Sequence, residues 1–291
     1  MSVSWAHSSP GELRAHHARE AAAMAGDPPR DVFETALAPE GAFRGGLHFT
    51  PIAGAENAVI VYFHGGGFLA GSPSTHRGMT AWLARLSGMP VLSAAYRLAP
   101  EHPFPAQRED AVAACAKALA LSDGASNDMG LILAGDSAGA CVALWGLCAL
   151  DAQTRARVKG VMLFYGGYGL SESDSIARYG TSENGLDSQT LSIMYRRLGG
   201  AWLSGDSLAW PLDFAGEITE PAYVLAAERD AVFDDSARLF QTLRPSAAAN
   251  RFVVAEGQEH GFFKATGKDP IAMRELENAA RWAAERARGC P

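Results

Sequence analysis

The 291-residue chain is 48% hydrophobic and 20% charged, which suits a soluble globular protein and gives enough apolar residues for one large core. Its formal net charge of −7 is spread along the sequence with no Lys/Arg-rich run, so neither nucleic acid nor an anionic membrane is expected as a partner. No apolar run approaches bilayer length, and the first thirty residues carry no apolar stretch behind a basic start, so no leader is expected. Cys115, Cys141, Cys148 and Cys290 lack C-x-x-C spacing and read as reduced thiols, so a cytoplasmic location is expected.

Residues 10–26 have the start, composition and closing glycine of a helix of about four turns, ended by Pro28 and Pro29. Weak strand signals follow at Thr35–Leu37 and Gly46–Pro51, then a confident buried strand at Ala58–Phe63 that runs into His64-Gly65-Gly66-Gly67-Phe68. Three glycines after a buried strand fit close backbone approach to a ligand, with amides exposed to an oxyanion, or a tightly packed turn. Gly65, Gly67 and Ala70 also satisfy a degenerate dinucleotide-binding pattern. Gly71-Ser72-Pro73 does not open a helix, however, and no acidic residue stands about twenty positions on, so that reading fails on context. His64 reads as a structural pin for the glycine loop. A helix from about Thr75 to Leu86, a strand from Pro90 to Tyr96, a proline-rich segment and a helix over 106–121 come next. Arg97, Glu101 and His102 are expected to form a buried polar network bracing the following loop.

Met129–Gly146 reads as strand, tight turn and helix, with Gly135-Asp136-Ser137-Ala138-Gly139 at the turn. A serine there is forced outward at the top of a sheet, glycines two positions either side relieve crowding, and the next amide opens a helix: the G-x-S-x-G nucleophile elbow. Beyond it, Val158–Tyr165 reads as a strand. Residues 166–210 lose the strand pattern and carry Tyr179, Leu191, Met194, Tyr195, Leu198 and Trp202, a candidate lid. Pro221–Ala227 and Arg251–Ala255 read as further strands, a helix begins near Asp234, and another spans about Pro270 to Arg288. Alternating strands and helices predict an α/β fold, a mostly parallel sheet with helices on both faces, in one domain over 1–291.

A serine hydroxyl needs a base within hydrogen-bond reach, itself oriented by a third group. Asp230 and His260 each follow a late strand, in the order serine, acid, histidine. His7, His16, His17, His48 and His76 precede the elbow without such a position. Asp234 and Asp235 are expected to cap the helix they begin, with Asp234 the runner-up for the acid.

HGGGF at 64–68, YRLAPEHPFPA at 96–106, GDSAGA at 135–140, Asp230 with Asp234, and HGFF at 260–263 together resemble the hormone-sensitive-lipase-like esterases of the α/β-hydrolase superfamily. The resemblance spans roughly 58–290. It implies an eight-stranded sheet, a small helical cap from about 1–30 and about 167–210, and hydrolysis of a small-molecule carboxylic ester with neither metal nor organic cofactor. It further implies Ser137 as nucleophile, His260 as base, Asp230 as orienting acid, and an oxyanion hole from the Ala138 amide with two of Gly65, Gly66 and Gly67. Two positions depart from the family pattern: Tyr165-Gly166 replaces a frequent Tyr-Pro, and Ala140 a frequent glycine. An amidase or formamidase with the same triad and a non-catalytic binding homologue are the alternatives, and a homodimer is compatible with either activity.

Overall fold

A computed structural model describes residues 3–54, 57–122, 129–199, 209–243 and 249–289; Trp202 and Cys290 lie outside them. Eight strands form one sheet: β1 (Val32–Leu37), β2 (Gly46–Pro51), β3 (Ala58–Phe63), β4 (Val91–Ala94), β5 (Gly130–Asp136), β6 (Val158–Phe164), β7 (Ala222–Ala227) and β8 (Arg251–Ala255). Their order is β1-β2-β4-β3-β5-β6-β7-β8. The pairings of β1 with β2 and of β2 with β4 are antiparallel, and the rest are parallel.

The central strands read as continuous apolar runs because both faces are covered. In β3, Val59, Val61 and Phe63 enter one core while Ala58, Ile60 and Tyr62 enter the other. The helices are α1 (Pro10–Met24), α2 (Arg77–Ser87), α3 (Ala106–Ser122), α4 (Ala138–Ala149), α5 (Ala152–Arg155), α6 (Asp174–Tyr179), α7 (Ser188–Leu198), α8 (Pro211–Phe214), α9 (Phe233–Thr242) and α10 (Pro270–Ala287). Helices α2 and α10 cover one face, through Leu83, Ala84, Leu276 and Ala280. On the other, α3, α4 and α9 contribute Ala114, Cys115, Leu144 and Leu239.

Ala138 to Leu147 of α4 are all buried, the pattern of a helix surrounded by protein. Trp145 anchors it: the indole N–H donates to the Ala209 carbonyl at 3.0 Å, and the rings of Phe68 and Phe104 pack on it. Truncating such a side chain costs about 3–5 kcal/mol. Helix α1 begins with a capping box, Ser9 Oγ accepting from the Glu12 amide and Glu12 Oε2 from the Ser9 amide, with Pro10 in the first turn.

Strand β4 is shorter than the sequence suggests. Its chain leaves the ladder after Ala94 because the Tyr96 hydroxyl donates to the His64 carbonyl and the Arg97 amide to Asp110. Conversely, β1 extends three residues earlier than its weak pattern, since each residue from Val32 finds a partner on β2.

Candidate active site

Ser137 sits between β5 and α4 at φ 53°, ψ −124°, a region costing a non-glycine residue on the order of 1–3 kcal/mol. The surrounding backbone enforces it. A Cβ on Gly139 would lie 2.0 Å from the Phe63 carbonyl oxygen, and one on Gly135 would lie 2.3 Å from that of Gly139. Only glycine lets strand and helix approach so closely. The Ser137 amide donates to the Phe164 carbonyl at 2.9 Å, fixing the turn to β6.

The loops after β7 and β8 bring Asp230 and His260 to this serine. His260 Nε2 lies 2.8 Å from Ser137 Oγ, and His260 Nδ1 lies 2.7 Å from Asp230 Oδ2. Asp230 is buried, and its Oδ1 accepts the Val232 amide. A carboxylate can only accept, so Nδ1 carries the proton and Nε2 presents its lone pair to the serine hydroxyl. The two loops are knitted together by Arg229 N–H to the Gln258 carbonyl and Gly257 N–H to Glu228. Tyr165, at φ 38°, packs edge-on against His260 with ring centroids 5.3 Å apart. Its successor is glycine because a Cβ at Gly166 would lie 2.2 Å from the Tyr168 hydroxyl.

The Gly65 N–H donates to Asp136 Oδ1 at 2.9 Å, so of the three loop amides this one already has a partner. Asp136 is fully enclosed. It also accepts from the Tyr62 hydroxyl at 2.5 Å and stands 3.3 Å from His76 Nε2. Burial alone would raise its carboxyl pKa, but His76, Tyr62 and the Gly65 amide outweigh that and hold it well below the usual carboxylate range. His64 pins the loop: Nδ1 lies 2.9 Å from the Gly65 carbonyl and the ring stacks on Tyr96. Burial pushes its pKa down to about 3, so it stays neutral.

Several roles read from sequence fall elsewhere. Arg97 pairs with buried Asp110 as a brace, but Glu101 and His102 are exposed, and Glu101 bonds Arg14 of α1. Neither Asp234 nor Asp235 caps α9. Asp234 accepts the Ser175 amide at 2.9 Å, capping α6 from another helix, while Asp235 Oδ1 accepts the amides of Tyr168 and Leu170. Burial pushes the Asp235 carboxyl up to about 7. Cys115 and Cys141 are buried free thiols and Cys148 is partly exposed.

A cavity of about 180 Å³ lies over Ser137, small against the roughly 300–1,000 Å³ of most ligand sites. Phe68, Leu186, Leu191, Met194 and Tyr195 line it together with Trp5. A Cβ on Gly67 would lie 2.9 Å from Met194 Sδ and 3.4 Å from the Trp5 ring, so these two side chains close over the glycine loop. Arg197 of α7 donates to the carbonyls of Trp5 and Ser8, clamping the segment that carries the indole. Trp5 and the His17–His76 stack, 6.0 Å between centroids, have no local motif. They were legible only as apolar or isolated residues. Among the described residues no three His, Cys, Asp or Glu side chains form a metal-ligating group, and no helix is long and apolar enough to cross a membrane.

A family model described as the alpha/beta hydrolase fold matches residues 60–264. The chain belongs to the hormone-sensitive-lipase-like esterases of the α/β-hydrolase superfamily. An acetyl esterase of Salmonella typhi is 33% identical over 236 residues, 78% of this chain and 72% of that protein. A hyperthermophilic esterase from the archaeon Pyrobaculum calidifontis superposes with a TM-score of 0.84 at 26% identity, covering 100% of this chain and 95% of the other. A thermophilic and thermostable carboxylesterase cloned from a metagenomic library gives 0.79 at 28% identity, covering 98% of each. The fold, an eight-stranded mostly parallel sheet with helices, matches those esterase structures, and the chain is a carboxylic-ester hydrolase.

Proposed function

We propose that this esterase works through an acyl-enzyme on Ser137, with His260 as general base and then acid and Asp230 as its orienting group. The observation that carries the reading is the unbroken chain of contacts from Ser137 Oγ through both His260 nitrogens to Asp230, at 2.8 and 2.7 Å. As Oγ bonds to the ester carbon, its proton passes to Nε2 and the carbonyl π pair moves onto oxygen. The amides of Gly66, Gly67 and Ala138 stabilise that oxyanion, Ala138 with the dipole of α4 behind it. Collapse breaks the bond to the alcohol oxygen, which takes the proton from Nε2. Water, deprotonated by the same nitrogen, then releases the acid.

The substrate class is an ester of a short acyl chain, about two to six carbons, because Trp5 and Met194 close a small cavity. We assign the covering cap to α1 together with α6 and α7. Ser137→Ala should keep the thermal transition and lose on the order of 10⁶ in kcat. A p-nitrophenyl ester series should peak among short chains. Retention of activity within tenfold in Ser137→Ala, or turnover rising beyond about ten carbons, would overturn this reading.

A further inference from the structure

The cavity walls differ in chemistry. Met194, Trp5, Leu191 and Leu186 give it an apolar part, which Glu183 and Asn184 adjoin in sequence, whereas His16, His17 and Glu20 of α1 and Lys264 make another side polar. The polar side belongs to the histidine loop: a Cβ on Gly261, next to His260, would lie 3.6 Å from Lys264 Cε. Lys264 Nζ in turn lies 2.7 Å from Glu20 Oε2. Since the histidine hands its proton to the departing oxygen, the alcohol half of an ester must lie beside His260, and the acyl half takes the apolar side. Glu20 and Lys264 cancel in charge, and burial with Lys264 close by keeps His17 neutral. Beside Glu20 and Lys264 a charged alcohol would therefore meet no uncompensated opposite charge. A hydroxyl, which both donates and accepts, suits a wall that offers an ammonium N–H, a carboxylate oxygen and imidazole nitrogens.

Resting on the acyl-enzyme reading above, we infer that the natural ester joins a short apolar acyl group to a neutral, hydroxyl-bearing alcohol, selected by the Glu20–Lys264 pair. The test holds the acyl group at acetate and compares glyceryl monoacetate with n-butyl acetate by acid release. The expected ratio of kcat/KM favours the hydroxylated ester by about tenfold or more. Lys264→Met should reduce that ratio at least about fivefold. A purely structural tether would lower both esters alike and leave the ratio unmoved, which would overturn the inference. Glu20→Gln supplies a second readout: an uncompensated Lys264 should raise turnover of O-acetyl lactate, whose alcohol half is a carboxylate, relative to n-butyl acetate. A ratio of one or below in the unaltered enzyme also overturns the inference while leaving the esterase reading intact. Failure to hydrolyse either ester would overturn both.

Discussion

The Asp136 carboxylate, one residue before Ser137, holds the backbone N–H of Gly65 at 2.9 Å. Ser137 and the glycine loop are thus fixed to each other through a buried charge that also bonds Tyr62 and neighbours His76. Asp136→Asn keeps the shape and loses the charge. It should still react at Ser137 with a phosphonate but lose on the order of 10²-fold in kcat, the effect of a displacement near 1 Å in the oxyanion donors. Steady-state kinetics beside the labelling rate distinguishes this from a damaged triad.

On the proposed reading Trp5 limits the acyl side. Trp5→Ala removes the ring that lies against Gly67 and Gly185 and should shift the best p-nitrophenyl ester toward longer chains. Arg197→Ala should act in the same direction, because Arg197 clamps the carbonyls of Trp5 and Ser8. An unchanged chain-length profile in both variants would refute the assignment.

Asp235 should make stability depend on pH with a definite sign. Its carboxyl is raised to about 7 by burial, so between its unfolded value near 4 and pH 7 the native state binds more protons than the unfolded one. Stability from this group therefore falls as pH rises through that window. In urea unfolding at pH 5 and pH 8, Asp235→Asn should gain on the native protein as pH increases, since Asn keeps an oxygen for the Tyr168 and Leu170 amides without a charge to bury. A gap that is constant with pH, or that widens against Asn, would exclude the account.

The acids after β7 separate by function. Asp230→Asn should cost on the order of 10⁴ in kcat, from loss of the imidazole's tautomer and of charge stabilisation. Asp234→Ala removes a cap on α6 and should cost about 0.5–2 kcal/mol of stability. Kinetics and denaturation on the same two samples decide between them, and a larger kcat loss at Asp234 would reassign the acid.

The sheet, the elbow, and the chain order of Ser137, Asp230 and His260 were legible because periodicity and strand-end placement are local signals. The consumed amide of Gly65 was not, since three adjacent glycines look alike until Asp136, seventy-one positions later, selects one. Asp234 and Asp235 read as caps of α9 because both lie in its first turn. Their carboxylates instead serve Ser175, Tyr168 and Leu170, some sixty residues away in sequence. Trp5 and Lys264 reach the cavity from opposite ends of the chain, where no spacing rule operates. In each case a tertiary contact, and not a local preference, sets what the residue does.

The most direct test of the central claim is the site of covalent capture. Incubating the enzyme with a p-nitrophenyl phosphonate and mapping the modified peptide by mass spectrometry should find one phosphonyl group per chain, on Ser137 alone. His260→Ala should slow its formation by several orders of magnitude. Stoichiometric labelling of another serine, or labelling of Ser137 at an unchanged rate without His260, would contradict it.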